Sequence, residues 1–145
     1  NILLVVSHGS KRRESNQEFK DFIKKLNQIN SGSENSSEVD SSAEISNQLK
    51  APDLSGRYSE IRGACLEFAS PQLETVIADL VKKGYEKLDI LPLFIFAGYH
   101  VRQDIPERMR ELKNKFEQLE YEILKHPAAE DDFAYYIFNQ AFKNL

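Results

Sequence analysis

Leu93-Phe94-Ile95-Phe96-Ala97-Gly98-Tyr99-His100-Val101-Arg102-Gln103-Asp104-Ile105-Pro106 is an apolar run that stops at a glycine and meets an imidazole where a helix is predicted to begin. The opening of the chain has the same form, with Ile2-Leu3-Leu4-Val5-Val6 leading into Ser7-His8-Gly9-Ser10. Short continuous apolar runs are expected of strands buried on both faces, as in parallel sheets. Both runs end in a histidine, and the carboxyl ends of parallel strands are where open α/β sheets place their sites. Two neutral imidazoles at one edge point to a divalent metal or to a proton acceptor.

The pattern alternates along the rest of the chain. Phe19, Phe22, Ile23, Leu26 and Ile29 recur at helical spacing. Residues 58–68 read as a second strand ending in Leu66-Glu67-Phe68. Ser70-Pro71 then opens a helix with serine as its cap and proline in the first turn. Leu73, Val76, Ile77, Leu80 and Val81 form that helix's stripe, Glu74 suits its first turn, and Gly84 ends it. Lys87 to Phe94 is the third strand, Val101 to Leu119 traces a third helix, and Tyr121-Glu122-Ile123-Leu124 is a fourth strand. Ala134, Ile137, Phe138, Ala141 and Phe142 mark a closing helix. The expected fold is α/β, three-layered, with a parallel sheet of about four strands and helices on both faces.

The 145 residues suffice for a single domain, 1–145, with a core. Its one interruption is a polar stretch at about 30–57, read as a surface insertion, with Ala43 to Leu49 as a short helix inside it. A lid over a large ligand is the alternative. Apolar residues make up 41% and charged residues 29%, with a net charge of −4. Lys11-Arg12-Arg13 is the sole basic cluster, so a nucleic-acid partner is not expected. No apolar run approaches the roughly 20 residues of a membrane span, and no signal peptide is recognised at the start. The chain opens on Asn1, so an initiator or a longer leader is expected before it. A single cysteine, Cys65, excludes an internal disulfide, reads as a small core residue and suits a reducing cytoplasm.

Three segments carry chemistry. In Ser7-His8-Gly9-Ser10 the glycine allows a sharp turn, and the serines can orient the ring or donate to an anion; a polar turn holding a hydrogen-bonded histidine is the alternative. Glu67, among apolar neighbours at the end of strand two, needs a partner: the two histidines, or Arg62, or solvent. With His8 and His100 it would make a set suited to Fe²⁺, Co²⁺, Ni²⁺ or Zn²⁺. Asp104 stands four residues after His100, one helical turn, and either orients its ring or merely suits the helix start. Lys11, Arg12, Arg13 and Arg102 flank the histidines as surface charge or as donors to a polyanionic ligand. His126, before Pro127, reads as an isolated loop histidine. No P-loop, dinucleotide fingerprint or serine nucleophile elbow is present, so ATP or NAD use is not indicated.

Val6-Ser7-His8-Gly9-Ser10-Lys11-Arg12, Leu66-Glu67-Phe68-Ala69-Ser70-Pro71-Gln72-Leu73 and Leu91 to Pro106 together resemble, in order, three motifs of the short class II tetrapyrrole chelatases, the sirohydrochlorin cobalt- and ferrochelatases. The resemblance implies a chelatase-type α/β fold. It implies ATP-free insertion of Co²⁺, Fe²⁺ or Ni²⁺ into sirohydrochlorin in siroheme or cobalamin biosynthesis, with no cofactor beyond the metal substrate. It makes His8 and His100 the catalytic histidines and His8, Glu67 and His100 the metal site. Ser10, Lys11, Arg12, Arg13, Tyr99 and Arg102 become candidates for substrate contact, and a homodimer is expected. The 30–57 stretch and Lys125-His126-Pro127-Ala128-Ala129 depart from the family pattern, and there is no histidine-rich tail or cysteine cluster. A non-catalytic carrier of metal or tetrapyrrole is the alternative.

Overall fold

Alternating strands and helices produce one sheet. The computed structural model describes residues 1–32 and 55–145. In chain order the elements are β1 (Ile2–Ser7), α1 (Arg13–Asn30), β2 (Glu60–Cys65), α2 (Leu73–Lys82) and β3 (Lys87–Pro92). A wide π-type turn (His100–Asp104), α3 (Ile105–Lys115), β4 (Glu120–Ile123), a 3₁₀ turn (Pro127–Ala129) and α4 (Asp131–Lys143) follow. The helix expected over Ala43 to Leu49, and most of the 30–57 stretch, lie outside the described residues.

The strands are all parallel in the order β2-β1-β3-β4, with Val5 paired to Gly63 and to Leu91. From β1 the chain first adds β2 on one side, then crosses to add β3 on the other. The crevice between the carboxyl ends of β1 and β3 is therefore the topological switch point, where open α/β sheets bind ligands.

The two faces are covered unequally. Side chains alternate along a strand, and the even-numbered Ile2, Leu4 and Val6 join Ala64, Leu88 and Ile90 beneath Leu73, Ile77 and Leu80 of α2 and Ile105 and Met109 of α3. Each such fully buried aliphatic side chain contributes about 1.5–3 kcal/mol, so this face is the main source of stability. On the other face α1 packs on β2 at Gly63, where an added Cβ would lie 2.9 Å from Ile23 and 3.0 Å from Phe19. Neither α1 nor α4 has a fully buried residue. The stripe of α4 that reads as a core face is largely exposed, with Ile137, Phe138 and Phe142 open to solvent.

Element boundaries differ from the sequence reading: the third strand stops at Pro92 instead of Phe94, so the apolar run from Leu93 to Ala97 is the loop after it, and β4 lies one residue earlier than expected. The second strand is shorter than 58–68, because Tyr58 is tied to Asn30 before the strand starts and the chain bends from Leu66 onward while still bonded to the end of β1. Helix α2 is capped at Gln72 instead of Ser70; Ser70-Pro71 is a cis peptide, and Pro71 accepts from Cys65 N–H. The third helix divides into the π-type turn and α3, and ends before Phe116.

Candidate functional site

The β1–α1 loop is shaped by Gly9 and Asn16. Gly9 has φ +88°, and a Cβ there would fall on the carbonyl oxygen of Glu67, so only glycine lets this loop close on the Glu67 turn. Asn16, at the start of α1, accepts from Ser10 N–H (3.1 Å) and donates to Ser10 O (2.8 Å). The Ser10 hydroxyl accepts from Arg12 N–H at 3.0 Å. Ser10, expected to contact substrate, thus also fixes the loop.

Backbone bonds align the Glu67 turn with β1: Leu66 N–H donates to Ser7 O and Glu67 N–H to His8 O. Phe68 follows with φ 66°, a left-handed conformation that costs a non-glycine residue about 1–2 kcal/mol. Its ring, about half exposed, stands 5.5 Å from that of His8. Lys11 Nζ rests 5.0 Å above the same ring. An exposed cation–π contact is worth about 0.5–1 kcal/mol, and a charge-assisted hydrogen bond about 1.5–3. A ligand carboxylate would therefore draw Lys11 off Phe68.

His8 and His100 meet across the switch point, their ring centroids 4.7 Å apart and their planes 63° apart. Phe94 stacks on His100 at 5.8 Å, and the exposed Tyr99 meets it edge-on at 5.4 Å. Asp104 Oδ2 lies 2.8 Å from His100 Nδ1, across the wide turn closed by Ile105 N–H on His100 O. His8 Nδ1 lies 3.1 Å from the carbonyl of Gly9. Each Nδ1 faces an acceptor, and the tautomer that donates there would keep the Nε2 lone pair for a cation.

Glu67 Oε2 lies 3.5 Å from His8 Nε2. A carboxylate oxygen and an imidazole lone pair at that separation are two acceptors, reconciled by a proton or a metal ion between them. Among the described residues no group of three His, Cys, Asp or Glu side chains is close enough to hold a metal ion. His8 touches both Glu67 and His100, but the three do not form a closed cage.

Arg62, the other partner considered for Glu67, instead pairs with Asp79 at 2.8 Å. Hydrogen bonds from Arg62 and then Lys83 hold the Asp79 carboxyl below its ordinary value of 3.8. Arg12 and Arg13 are exposed at the start of α1, and Arg102 Nε donates to Ala97 O at 3.0 Å. His126 lies on the loop after β4, outside the ring contacts and ion pairs that join His8, Glu67, His100 and Asp104.

The sequence reading missed two participants. Phe68 sits inside a motif that drew attention only to Glu67. Arg108 lies four residues after Asp104 and donates to its Oδ1 at 3.0 Å; repeated spacing of four from His100 was the available signal. A cavity of about 680 Å³ adjoins the site on the α1 face, lined by Ser10, Phe19, Phe22, Leu93, Ile95 and Tyr136 among others.

Residues 28–143 match the CbiX family. This chain belongs to that family. Over 121 residues (83% of this CbiX-family chain and 42% of the relative) it is 24% identical to the chloroplastic sirohydrochlorin ferrochelatase of Arabidopsis thaliana. It is 34% identical to the sirohydrochlorin cobaltochelatase of Saccharolobus solfataricus over 68 residues, 47% of this chain and 52% of that protein. The chain thus spans about half the length of the curated relatives it matches. In fold it is similar to the CbiX protein of Marinobacter aquaeolei VT8, with a TM-score of 0.71 at 17% identity, covering 99% of this chain and 95% of that one. SirB from Bacillus subtilis, solved with cobalt, gives 0.59 at 21% identity over 86% of this chain and 42% of that one.

Proposed function

We propose that this chain inserts a divalent metal ion, Co²⁺ or Fe²⁺ and also Ni²⁺, into sirohydrochlorin or a related tetrapyrrole without ATP, in siroheme or cobalamin biosynthesis. The observation that carries the reading is the incomplete ligand set at the switch point: the His8 and His100 rings in edge-to-face contact, and Glu67 Oε2 3.5 Å from His8 Nε2. A metal in transit must be held, then surrendered to four pyrrole nitrogens, and a set short of a closed cage suits that exchange better than a storage site. Glu67 or a neutral histidine accepts the protons released by the macrocycle as the metal enters. Phe68 and Tyr99, exposed beside the histidines, offer faces to a flat conjugated ring. Lys11, Arg12, Arg13 and Arg102 hold its carboxylate arms. Family membership and the names of the relatives support this assignment.

The chain acts as a single domain, 1–145, paired as a homodimer. Its support is the uncovered side of α4, with Tyr135, Phe138 and Phe142 each more than half exposed. Among the described residues no helix is long and apolar enough to cross a membrane. A buried, unpaired Cys65 suits a reducing compartment such as the cytoplasm.

The test is an absorbance assay with sirohydrochlorin and Co²⁺, Fe²⁺ or Ni²⁺ in parallel. Metal insertion well above the uncatalysed rate, abolished in His100→Ala with the fold intact, is expected. Metal binding without acceleration identifies a carrier, and full activity in His100→Ala overturns the assignment.

A further inference from the structure

Arg108 is bound to both halves of the proposed metal site. Its Nε donates to Asp104 Oδ1 (3.0 Å), whose other oxygen holds His100 Nδ1 (2.8 Å). Its Nη1 donates to the carbonyl of Leu66 (3.2 Å), the residue before Glu67, and lies 3.5 Å from Glu74 Oε1 on α2. The Leu66–Glu67 segment is in turn bonded to Ser7 and His8 through the backbone. One guanidinium therefore joins the segment that carries His100 to the segment that carries Glu67 and abuts His8.

We infer that Arg108 is a positioning residue that sets the separation between His100 and the His8–Glu67 pair, and so tunes how tightly the metal is held before transfer. The inference rests on the metal-site reading above. Its physics is specific to arginine. The planar fork presents donors in fixed directions to a carboxylate and a carbonyl at once, which a lysine ammonium cannot reproduce. The side chain is about three-quarters buried and Asp104 more so, which limits solvent screening of the contact. His100, Asp104 and Arg108 follow at intervals of four along the turn and α3, so the ring, its acceptor and the clamp lie along one face. Removing the clamp leaves Asp104 bonded to His100 but frees both to rotate away from His8.

The test is a titration of the purified protein with Co²⁺, read by its visible absorption, alongside thermal unfolding and steady-state insertion kinetics. Wild type saturates and His100→Ala does not. Arg108→Ala is expected to weaken Co²⁺ binding about 10–100-fold, the usual effect of losing an outer partner of a metal ligand. It raises the KM for metal while leaving the KM for the tetrapyrrole unchanged. Arg108→Lys falls between, and millimolar guanidinium restores part of the affinity of Arg108→Ala. A folded Arg108→Ala with wild-type Co²⁺ affinity overturns the inference while leaving the metal site standing. Should Arg108→Ala fail to fold, wild-type affinity in Arg108→Lys overturns it equally. Wild type that binds no Co²⁺, or His100→Ala that binds as wild type does, removes the metal-site reading and this inference with it.

Discussion

His8 Nε2 and Glu67 Oε2 face each other at 3.5 Å, one from the end of β1 and the other from the turn after β2. With the His8 proton on Nδ1 toward Gly9 O, both atoms offer lone pairs to the space between them. Glu67→Gln places an amide there that donates to His8 Nε2 and occupies the lone pair meant for the metal. We expect Co²⁺ affinity to fall by at least about 10-fold, with the melting temperature nearly unchanged because Glu67 is exposed. Parallel Co²⁺ titration and thermal unfolding measure both, and undiminished affinity would show that Glu67 is not a ligand.

Gly9→Ala tests the close approach of the two loops. The new Cβ meets the Glu67 carbonyl, and φ +88° is itself unfavourable for alanine by about 1–2 kcal/mol. Relief requires one loop to withdraw, which separates His8 from Glu67. The expected outcome is a loss of more than about 2 kcal/mol in denaturant unfolding, together with weakened metal binding. A variant as stable as wild type would mean that the loops are not held in contact.

Phe68 presents the opposite balance. Its left-handed backbone is costly, and its half-exposed ring returns little burial. Phe68→Asn, a residue that tolerates this conformation, should be as stable as wild type or more so by up to about 1 kcal/mol. The KM for tetrapyrrole should rise, since His8 loses its aromatic neighbour and Lys11 its resting place. An unchanged KM would remove Phe68 from the substrate surface.

The alternating fold was legible because a parallel sheet writes apolar runs for strands and a four-residue rhythm for helices. Val5 and Val6 before His8, and Leu93 and Phe94 before His100, are local signals. What brings those histidines within 4.7 Å is strand order, β1 beside β3, which no local pattern encodes. The contacts of Asp104 with His100 and with Arg108 were readable from the spacing of four, but the clamp was not, because its other half is the carbonyl of distant Leu66. Apolar spacing in α4 also misled: Ile137, Phe138 and Phe142 mark an amphipathic helix, but periodicity does not say whether the partner surface is this sheet or another chain.

That face supplies the test of association. If a second copy covers α4, replacing Phe138 and Phe142 with glutamate places charges in the interface without touching the sheet core. Sedimentation should then show a dimer becoming a monomer. Both side chains are more than half exposed, so the monomer should keep its unfolding midpoint to within about 1 kcal/mol apart from the contribution of association. A wild-type monomer at working concentration would exclude the homodimer.

Tyr58 fastens the start of β2 to the neighbouring elements. Its hydroxyl donates to Asp89 Oδ2 at 2.7 Å, and its backbone exchanges bonds with the Asn30 side chain. Burial first, and then the hydrogen bond to the Asp89 carboxylate, raises the phenol above its ordinary value of 10.0. The folded state thus holds this proton more tightly than the unfolded chain does. Its stabilisation is complete below the unfolded pKa, near 10, and is lost as pH rises through the higher folded value. Tyr58→Phe should cost about 1 kcal/mol at neutral pH and flatten the decline in stability above pH of about 10. Urea unfolding from neutral to alkaline pH measures both, and an alkaline decline as steep in Tyr58→Phe as in wild type would assign it to other groups.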